Sequence, residues 1–207
     1  MSLSVEDITA VILAGGQGRR MNGQDKGLLE FNGEALIAIL LRELERQAVA
    51  TVINANRNLD RYRAYGLPVI SDRLEDYQGP LAGFASAMDF VDSDFILTLP
   101  CDGPLIAADY VERFIASQKQ SGASICVAFD GERLQPVHAL MRTDLLASRT
   151  SFSTAAIARS TAGTHYTITS APISPIAPAC FAISTHHRTG YPCRQNYEQS
   201  IHSNSRL

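Results

Sequence analysis

The pattern of hydrophobic and polar residues changes period repeatedly along the first 140 residues. Short apolar runs are typical of buried strands, and stretches with apolar residues every three or four positions are typical of amphipathic helices. Strands are predicted at residues 8–13, 28–31, 51–54, 67–70, 94–99, 124–129 and 135–140. Helices are predicted at residues 34–49, 81–90 and 109–121. This alternation predicts an α/β domain with a largely parallel sheet covered by helices.

The character of the sequence changes near residue 150. Of the 21 acidic residues, 20 lie in the first 150 positions and only Glu198 follows. Four of the five histidines lie in this second part, which is rich in Ser, Thr, Ala and Pro. Its apolar periodicity is weak, and its composition favours disorder. We therefore expect a domain at residues 1–148 and an atypical tail at residues 149–207.

Composition limits the classes of function. A chain of 207 residues with 45% hydrophobic and 19% charged residues suits one soluble globular domain. The net charge of -3, without a basic face, argues against nucleic acid as a partner. No apolar run is long enough to span a bilayer, and the N-terminus lacks the pattern of a secretory signal. The four cysteines form no CxxC pair. We expect a cytoplasmic monomer without a membrane partner.

A glycine-rich segment follows the first predicted strand. Glycines at positions 15, 16 and 18 precede Arg19, Arg20 and Lys26. Because glycine has no Cβ, such a backbone can bring its N–H groups close to phosphate. The order of the glycines fits neither the dinucleotide-binding fingerprint nor the P-loop. The segment is either a polyphosphate site or a tight connection with solvated arginines.

Polar residues follow three further strands. Asn54 ends the strand at 51–54, Asp72 follows the strand at 67–70, and Asp102 lies between Pro100 and Pro104 after the strand at 94–99. Open α/β sheets bind ligands at the carboxyl ends of their strands. Mg²⁺ takes one or two carboxylates together with phosphate oxygens and water, which suits Asp102. The alternatives are that Asp102 caps a helix and that the asparagine belongs to a turn.

These motifs resemble those of known nucleotidyltransferases. Leu-Ala-Gly-Gly-Gln-Gly-Arg-Arg-Met at residues 13–21 and Asp-Lys-Gly-Leu at residues 25–28 resemble enzymes that join a nucleoside triphosphate to a phosphorylated acceptor. Asn-Ala-Asn-Arg at residues 54–57 makes the chain most similar to the molybdenum cofactor guanylyltransferases. The resemblance covers residues 8–148 and implies a three-layer α/β/α Rossmann-like nucleotidyltransferase fold.

The resemblance also implies an activity and its participants. GMP would pass from GTP to molybdenum-molybdopterin, yielding molybdopterin guanine dinucleotide and pyrophosphate, with Mg²⁺ as cofactor. Transient contact with molybdenum-insertion enzymes is implied as well.

Site residues follow from the same resemblance. The nucleotide would be bound by Leu13, Ala14, Gly15, Lys26, Asn54, Asp72 and Asp102. Arg19 and Lys26 would offset charge on the triphosphate and Asp102 would carry Mg²⁺, so Lys26, Arg19 and Asp102 are the expected catalytic residues. His138 either contacts the pterin or is a structural side chain.

Three alternative functions differ in what they explain. A sugar-phosphate or methylerythritol cytidylyltransferase shares the loop and the chemistry, but Asp-Lys-Gly-Leu and Asn-Ala-Asn-Arg argue against it. A nicotinamide-dependent oxidoreductase leaves Lys26 and Asp102 unexplained. The third alternative is an inactive GTP-binding remnant.

The tail is the reason for this third alternative. Members of the family have a Gly-Asp/Glu-Arg-Lys segment and an Asn-Thr-Pro segment, which are absent here. Codons for residues 156–163, read one nucleotide earlier, can encode Gly-Asp-Arg-Lys-Ile-Asp-Arg-Trp. Codons for residues 180–187 can encode Leu-Phe-Arg-Asn-Ile-Asn-Thr-Pro in the same frame. We therefore expect a tail that is out of frame and has little regular structure.

Overall fold

Parallel strands form the centre of the fold. The computed structural model describes residues 3–16, 25–73, 79–130, 132 and 134–146, and the backbone of residues 166–169. Its strands are β1 (Ile8–Leu13), β2 (Glu30–Phe31), β3 (Glu34–Ala35), β4 (Ala50–Asn54), β5 (Val69–Ile70), β6 (Phe95–Pro100), β7 (Ile125–Phe129), β8 (Leu134–Arg142) and β9 (Tyr166–Thr169). Its helices are α1 (Leu36–Arg46), α2 (Leu59–Arg63), α3 (Pro80–Phe90) and α4 (Tyr110–Ser121).

The main sheet has seven strands in the order β5-β4-β1-β6-β8-β7-β9. β1 pairs in parallel with β4 and β6, and β4 pairs in parallel with β5. Only β8 runs antiparallel to its neighbours β6 and β7 among the described strands of this sheet. The prediction of a largely parallel sheet is therefore confirmed.

Helices cover both faces of the sheet, which confirms the three-layer architecture. Side chains of successive residues point to opposite faces of a strand, so Ile12 of β1 joins one hydrophobic cluster and Val11 joins the other. The first cluster contains buried residues of α1, α2 and α4, and the second contains those of α3. None of the helices in the described part of the chain is long and apolar enough to cross a membrane.

The first helix is shorter than predicted. Instead of spanning residues 34–49, it begins at Leu36 and ends at Arg46. Asn32 and Gly33 have φ values of 54° and 80°, which make a tight turn between β2 and β3. Glu34 and Ala35 therefore pair with the preceding strand before the helix begins. The strand predicted at residues 28–31 is also shorter in the structure and consists of β2 alone. Its first predicted residue, Leu28, belongs instead to the 3-10 turn Lys26–Leu28.

Helix α2 has no counterpart in the sequence prediction. It has five residues, and only Tyr62 among them is buried. A helix of this length with one buried residue has no apolar stripe, so hydrophobic periodicity does not reveal it.

Strand β9 lies in the region predicted to have little regular structure. It pairs in parallel with β7, placing Tyr166 opposite Ile125 and Thr169 opposite Ala128. The sequence prediction included no strand at these four residues. Their sequence, Tyr-Thr-Ile-Thr, consists of residue types that favour strands, and β7 offers them an edge. The remainder of the predicted tail lies outside the described residues.

Gln47 joins the end of α1 to the start of α4. The residue before α4, Asp109, makes no capping hydrogen bond with its side chain. The Val111 N–H of the first turn donates instead to Gln47 Oε1 at 2.8 Å, and Gln47 Nε2 donates to the Ala107 carbonyl at 3.0 Å. The cap of α4 is thus supplied by the residue that follows α1.

Gln47→Ala should lower the free energy of unfolding by about 1–2 kcal/mol, because it removes a helix cap and leaves a half-buried N–H without its acceptor. Urea denaturation measures the difference. Gln120→Ala, on the exposed surface of α4, is the matched control and should change stability by less than about 0.5 kcal/mol. Equal stability of the two variants would contradict the capping role.

Candidate active site

The carboxyl ends of four parallel strands meet at one edge of the sheet. Leu13 lies opposite both Asn54 and Pro100 in the strand registers. The next residues continue the ladder, since Ala14 N donates to Asn54 O at 2.8 Å and Cys101 N donates to Leu13 O at 3.2 Å. Six of the predicted site residues lie at or just beyond these strand ends: Leu13, Ala14, Gly15, Asn54, Asp72 and Asp102. Lys26 lies in the 3-10 turn Lys26–Leu28, and its ammonium reaches the same edge at Asp102. Arg19 lies outside the described residues.

A polar network connects the ends of β1, β4 and β5. Asp72 accepts hydrogen bonds from Asn54 Nδ2 at 2.9 Å and from Asn56 Nδ2 at 2.6 Å, one on each carboxylate oxygen. Its backbone N–H donates to Asn56 Oδ1 at 2.9 Å. Asn56 Nδ2 also lies 3.3 Å from the Gly15 carbonyl. Asn54 and Asp72 therefore form one unit, and Asn56 belongs to it although it was not predicted as a site residue.

Two glycines allow this network to pack closely. A Cβ on Gly15 would lie 2.8 Å from Asn56 Nδ2, and a Cβ on Gly83 would lie 2.6 Å from Asn54 Oδ1. Real Cβ atoms do not approach other atoms so closely, so any larger residue would displace an asparagine. Gly83 is part of α3, which brings the helix backbone to the site.

Lys26 and Asp102 form an ion pair beside the network. Lys26 Nζ lies 2.8 Å from Asp102 Oδ2, and the two side chains are 47% and 39% exposed. An exposed pair of this kind contributes little to stability, so both groups can exchange partners at low cost.

Asp102 fits a magnesium ion whose remaining ligands would be phosphate oxygens of a substrate and water. Within the described residues, no group of three or more His, Cys, Asp or Glu side chains is placed to hold a metal. Mg²⁺ does not need one, because it often binds one carboxylate together with phosphate oxygens and water. A single accessible carboxylate at the strand ends meets this requirement.

The Lys26 turn is held from inside the protein. The preceding residue, Asp25, is 8% exposed and accepts hydrogen bonds from Tyr62 Oη at 2.5 Å and from Asn58 Nδ2 at 3.1 Å. Burial, and then the hydrogen bond to Asp25, raise the pKa of Tyr62 far above its ordinary value, so the hydroxyl keeps its proton. Neither partner of Asp25 was predicted from the sequence, because they lie 33 and 37 residues away.

Comparison with known proteins identifies the family. The profile of the MobA-like NTP transferase domain matches residues 10–167. The chain is 46% identical over 152 residues to a molybdenum cofactor guanylyltransferase of Shewanella sp. (strain MR-4), covering 73% of this chain and 76% of the relative. It is 48% identical over 145 residues to a molybdenum cofactor guanylyltransferase of Shewanella baltica (strain OS155 / ATCC BAA-1091), covering 70% and 74%. The chain belongs to the molybdenum cofactor guanylyltransferase family.

Solved structures confirm the fold of the family in this chain. A molybdopterin-guanine dinucleotide biosynthesis protein A from Archaeoglobus fulgidus superposes with a TM-score of 0.56 at 18% identity, over 72% of this chain and 73% of that one. Rv0371c from Mycobacterium tuberculosis H37Rv superposes with a TM-score of 0.62 at 17% identity, over 79% and 88%. The guanylyltransferase sequence thus adopts the predicted Rossmann-like nucleotidyltransferase fold. Membership of the guanylyltransferase family argues against the alternative of a nicotinamide-dependent oxidoreductase.

His138 in this guanylyltransferase chain has a structural environment. Its ring is 4% exposed, and its Nδ1 lies 2.9 Å from Tyr110 Oη. Burial lowers the pKa of His138 to about 4, an effect that the charge of Asp102 partly opposes. The ring is therefore neutral at neutral pH, and of the two alternatives the contacts favour the structural one.

The two described cysteines are not poised for thiolate chemistry. Cys101 and Cys126 are both buried and free. Burial raises the pKa of Cys101 to about 12 and that of Cys126 to about 11. Both thiols therefore stay protonated in the physiological range, which does not favour a nucleophilic role.

Acid should destabilise this protein through His138. The unfolded chain binds a proton near the ordinary pKa of 6.5, whereas the folded ring resists protonation until about pH 4. Stability from this group is therefore lost as the pH falls below 6.5, by about 2 kcal/mol between pH 7 and pH 5. Urea denaturation at both pH values measures the loss.

His138→Gln provides the matched control, because its amide can hydrogen-bond Tyr110 and does not titrate. The decrease in unfolding free energy from pH 7 to pH 5 should be smaller in this variant by about the same 2 kcal/mol. An identical decrease in both proteins would show that His138 is not buried in its neutral form.

Proposed function

We propose that this chain transfers GMP from GTP to molybdenum-molybdopterin, with release of pyrophosphate. The observation that supports it best is the Lys26–Asp102 ion pair, which lies at the same strand ends as the Asn54–Asp72 network. A cation for phosphate, a carboxylate for Mg²⁺ and a polar surface for a nucleoside are thereby collected at one edge of the sheet. The names of the relatives at 46% and 48% identity support the choice of GTP and molybdopterin.

The reaction makes modest demands on acid–base chemistry. The attacking phosphate of molybdopterin is already an anion, so no side chain has to remove a proton from it. Catalysis then rests on holding the two substrates in line and on offsetting charge at the triphosphate. The chain is equipped for this task because the side chains of Lys26 and Asp102 are accessible at the strand ends.

Lys26 and Asp102 separate when GTP binds. The Lys26 ammonium moves from the Asp102 carboxylate to a phosphate oxygen and remains close to the reacting atoms. The carboxylate is then free to hold the cation. Mg²⁺ at Asp102 would draw electron density from the α-phosphate and the leaving pyrophosphate. We propose that Arg19 also offsets part of the negative charge on the triphosphate.

The Asn54–Asp72 network receives the nucleoside. A carboxylate only accepts hydrogen bonds, so Asp72 selects donor groups such as the N–H groups of guanine or the ribose hydroxyls. These groups can replace one of the asparagine amides that now occupy the carboxylate. Leu13, Ala14 and Gly15 line the adjoining part of the site, where β1 ends beside Asn54.

Other expectations depend on this function. A cytoplasmic, monomeric enzyme in transient contact with molybdenum-insertion enzymes remains our prediction, as do the domain limit at residue 148 and the shifted frame of the tail. The second candidate function is a GTP-binding remnant, which the altered composition after residue 150 favours. GTP binding without turnover would establish the remnant, and binding with turnover would exclude it.

Lys26→Ala should lower kcat/KM for guanylyl transfer by about 10- to 150-fold, since a charge-assisted hydrogen bond to phosphate is worth about 1.5–3 kcal/mol. The assay measures pyrophosphate release from GTP and molybdenum-molybdopterin in the presence of Mg²⁺. Lys26 and Lys119 are the two lysines of the chain, and Lys119 is exposed on α4. Lys119→Ala is therefore the control and should keep wild-type activity. Wild-type activity in Lys26→Ala would rule out the role of Lys26.

Asp102→Asn should abolish the effect of Mg²⁺ on GTP binding, because the amide keeps the shape of the side chain and loses its charge. Calorimetric titration of GTP with and without Mg²⁺ tests this expectation. Asp144→Asn, which alters an exposed carboxylate paired with Arg142, is the control and should retain the metal effect. A metal effect that persists in Asp102→Asn would assign the cation to another ligand.

A further inference from the structure

A buried carboxylate lies directly before Lys26, and the transfer of GMP does not require it as an acid or a base. Asp25 is 8% exposed, although aspartates are seldom buried unless their charge is paired or hydrogen-bonded. Both of its oxygens have partners, since Oδ1 accepts from Tyr62 Oη and Oδ2 accepts from Asn58 Nδ2. Both partners belong to α2 and the residue that precedes it. Asp25 thus ties the segment that carries Lys26 to a separate helix.

The turn after Asp25 is fixed along its length. Leu28 N donates to Asp25 O at 3.1 Å and closes the 3-10 turn Lys26–Leu28. Within this turn Gly27 is buried, and a Cβ there would lie 2.8 Å from Tyr62 Oη and 3.1 Å from Cys101 Cβ. The turn is therefore packed between α2 and the residue that immediately precedes Asp102.

The position of the Lys26 ammonium depends on this turn. Its side chain is 47% exposed, and it forms an ion pair with Asp102, whose side chain is 39% exposed. A long, exposed side chain gains little order from such an ion pair. The ammonium stays at the strand ends because the backbone beneath it is held, in part by the pair of hydrogen bonds on Asp25.

We propose that Asp25, Tyr62 and Asn58 form a positioning clamp for Lys26. The three side chains do not touch the substrates. Their hydrogen bonds set the 3-10 turn so that Lys26 meets Asp102 in the free protein and the triphosphate during transfer. The part of this inference that concerns transfer rests on the function proposed above for Lys26.

Tyr62→Phe tests the clamp, because it removes one donor to Asp25 and keeps the packing of the ring. We expect kcat/KM for guanylyl transfer to fall by about 5- to 30-fold. In a chain that already carries Lys26→Ala, the same change should cost less than about two-fold, because residues that act through one another are not additive. Equal losses in both backgrounds, or no loss in either, would overturn the proposal.

Asn58→Gly provides a second variant. Asn58 has a φ of 51°, a conformation that glycine adopts freely, so this change removes the amide donor without backbone strain. It should give the same non-additive pattern as Tyr62→Phe.

Thr9→Val is the matched control for loss of a buried hydroxyl. Thr9 Oγ1 accepts from Ser93 Oγ at 2.8 Å near the start of β1, at the opposite end of the strand from the site. This variant should lower the thermal midpoint by a few degrees and keep kcat/KM within about two-fold of wild type. A loss of activity in Thr9→Val equal to that in Tyr62→Phe would attribute both losses to stability and overturn the clamp.

A second readout does not depend on substrates or turnover. Lys26 and Lys119 are the two lysines of the chain, so acetylation by an amine-directed reagent can be followed at each by mass spectrometry. In Tyr62→Phe and Asn58→Gly, Lys26 should be released from its ion pair. The acetylation rate of Lys26 relative to that of Lys119 should then rise by about two- to five-fold. An unchanged ratio would show that the clamp does not position Lys26. If wild type transferred no GMP, the proposed function would fail and this ratio would still decide the clamp.

Discussion

Parallel pairing of β1 with β4 and β6 is the constraint on which the site depends. β1 is almost wholly buried, and its register places Leu13 opposite Asn54 on one side and Pro100 on the other. A shift of one residue would turn every side chain of the strand to the opposite face of the sheet. Because the two hydrophobic clusters specify those faces, the core also specifies which residues emerge at the strand ends.

Polar groups at this edge are satisfied by one another in the free protein. Asn54, Asn56 and Asp72 form a connected network, whereas Lys26 and Asp102 form an exposed pair. Asn54 is buried and lies against Gly83 of α3, whereas Asn56 and Asp72 are more exposed. The ion pair faces solvent and can be exchanged for phosphate and a cation at little cost. The site thus combines a hydrogen-bonded network for recognition with an ion pair that can exchange its partners.

Close approach, rather than positive φ, explains three of the glycines around the site. A Cβ added to Gly15, Gly27 or Gly83 would lie within 3 Å of a side chain that belongs to the site or supports it. They belong to three separate segments, which follow β1, precede β2 and lie in α3. Side chains from distant parts of the sequence are therefore gathered without empty space between them.

Local pattern in the sequence determined the order of most elements and the candidate residues at the strand ends. Apolar period is set by neighbouring residues, so β1, β6 and α4 could be predicted, and Lys26, Asn54, Asp72 and Asp102 could be named from motifs beside predicted strands. Tertiary structure decided what these residues contact. The bond between Asp25 and Tyr62 spans 37 residues, and that between Gln47 and Val111 spans 64. Such contacts depend on how the strands are ordered in the sheet. The hydrophobic periodicity of the sequence carries no information about that order. The antiparallel direction of β8 and the pairing of β9 with β7 follow the same rule, because a strand's partner is chosen by the whole sheet and not by the strand's own residues.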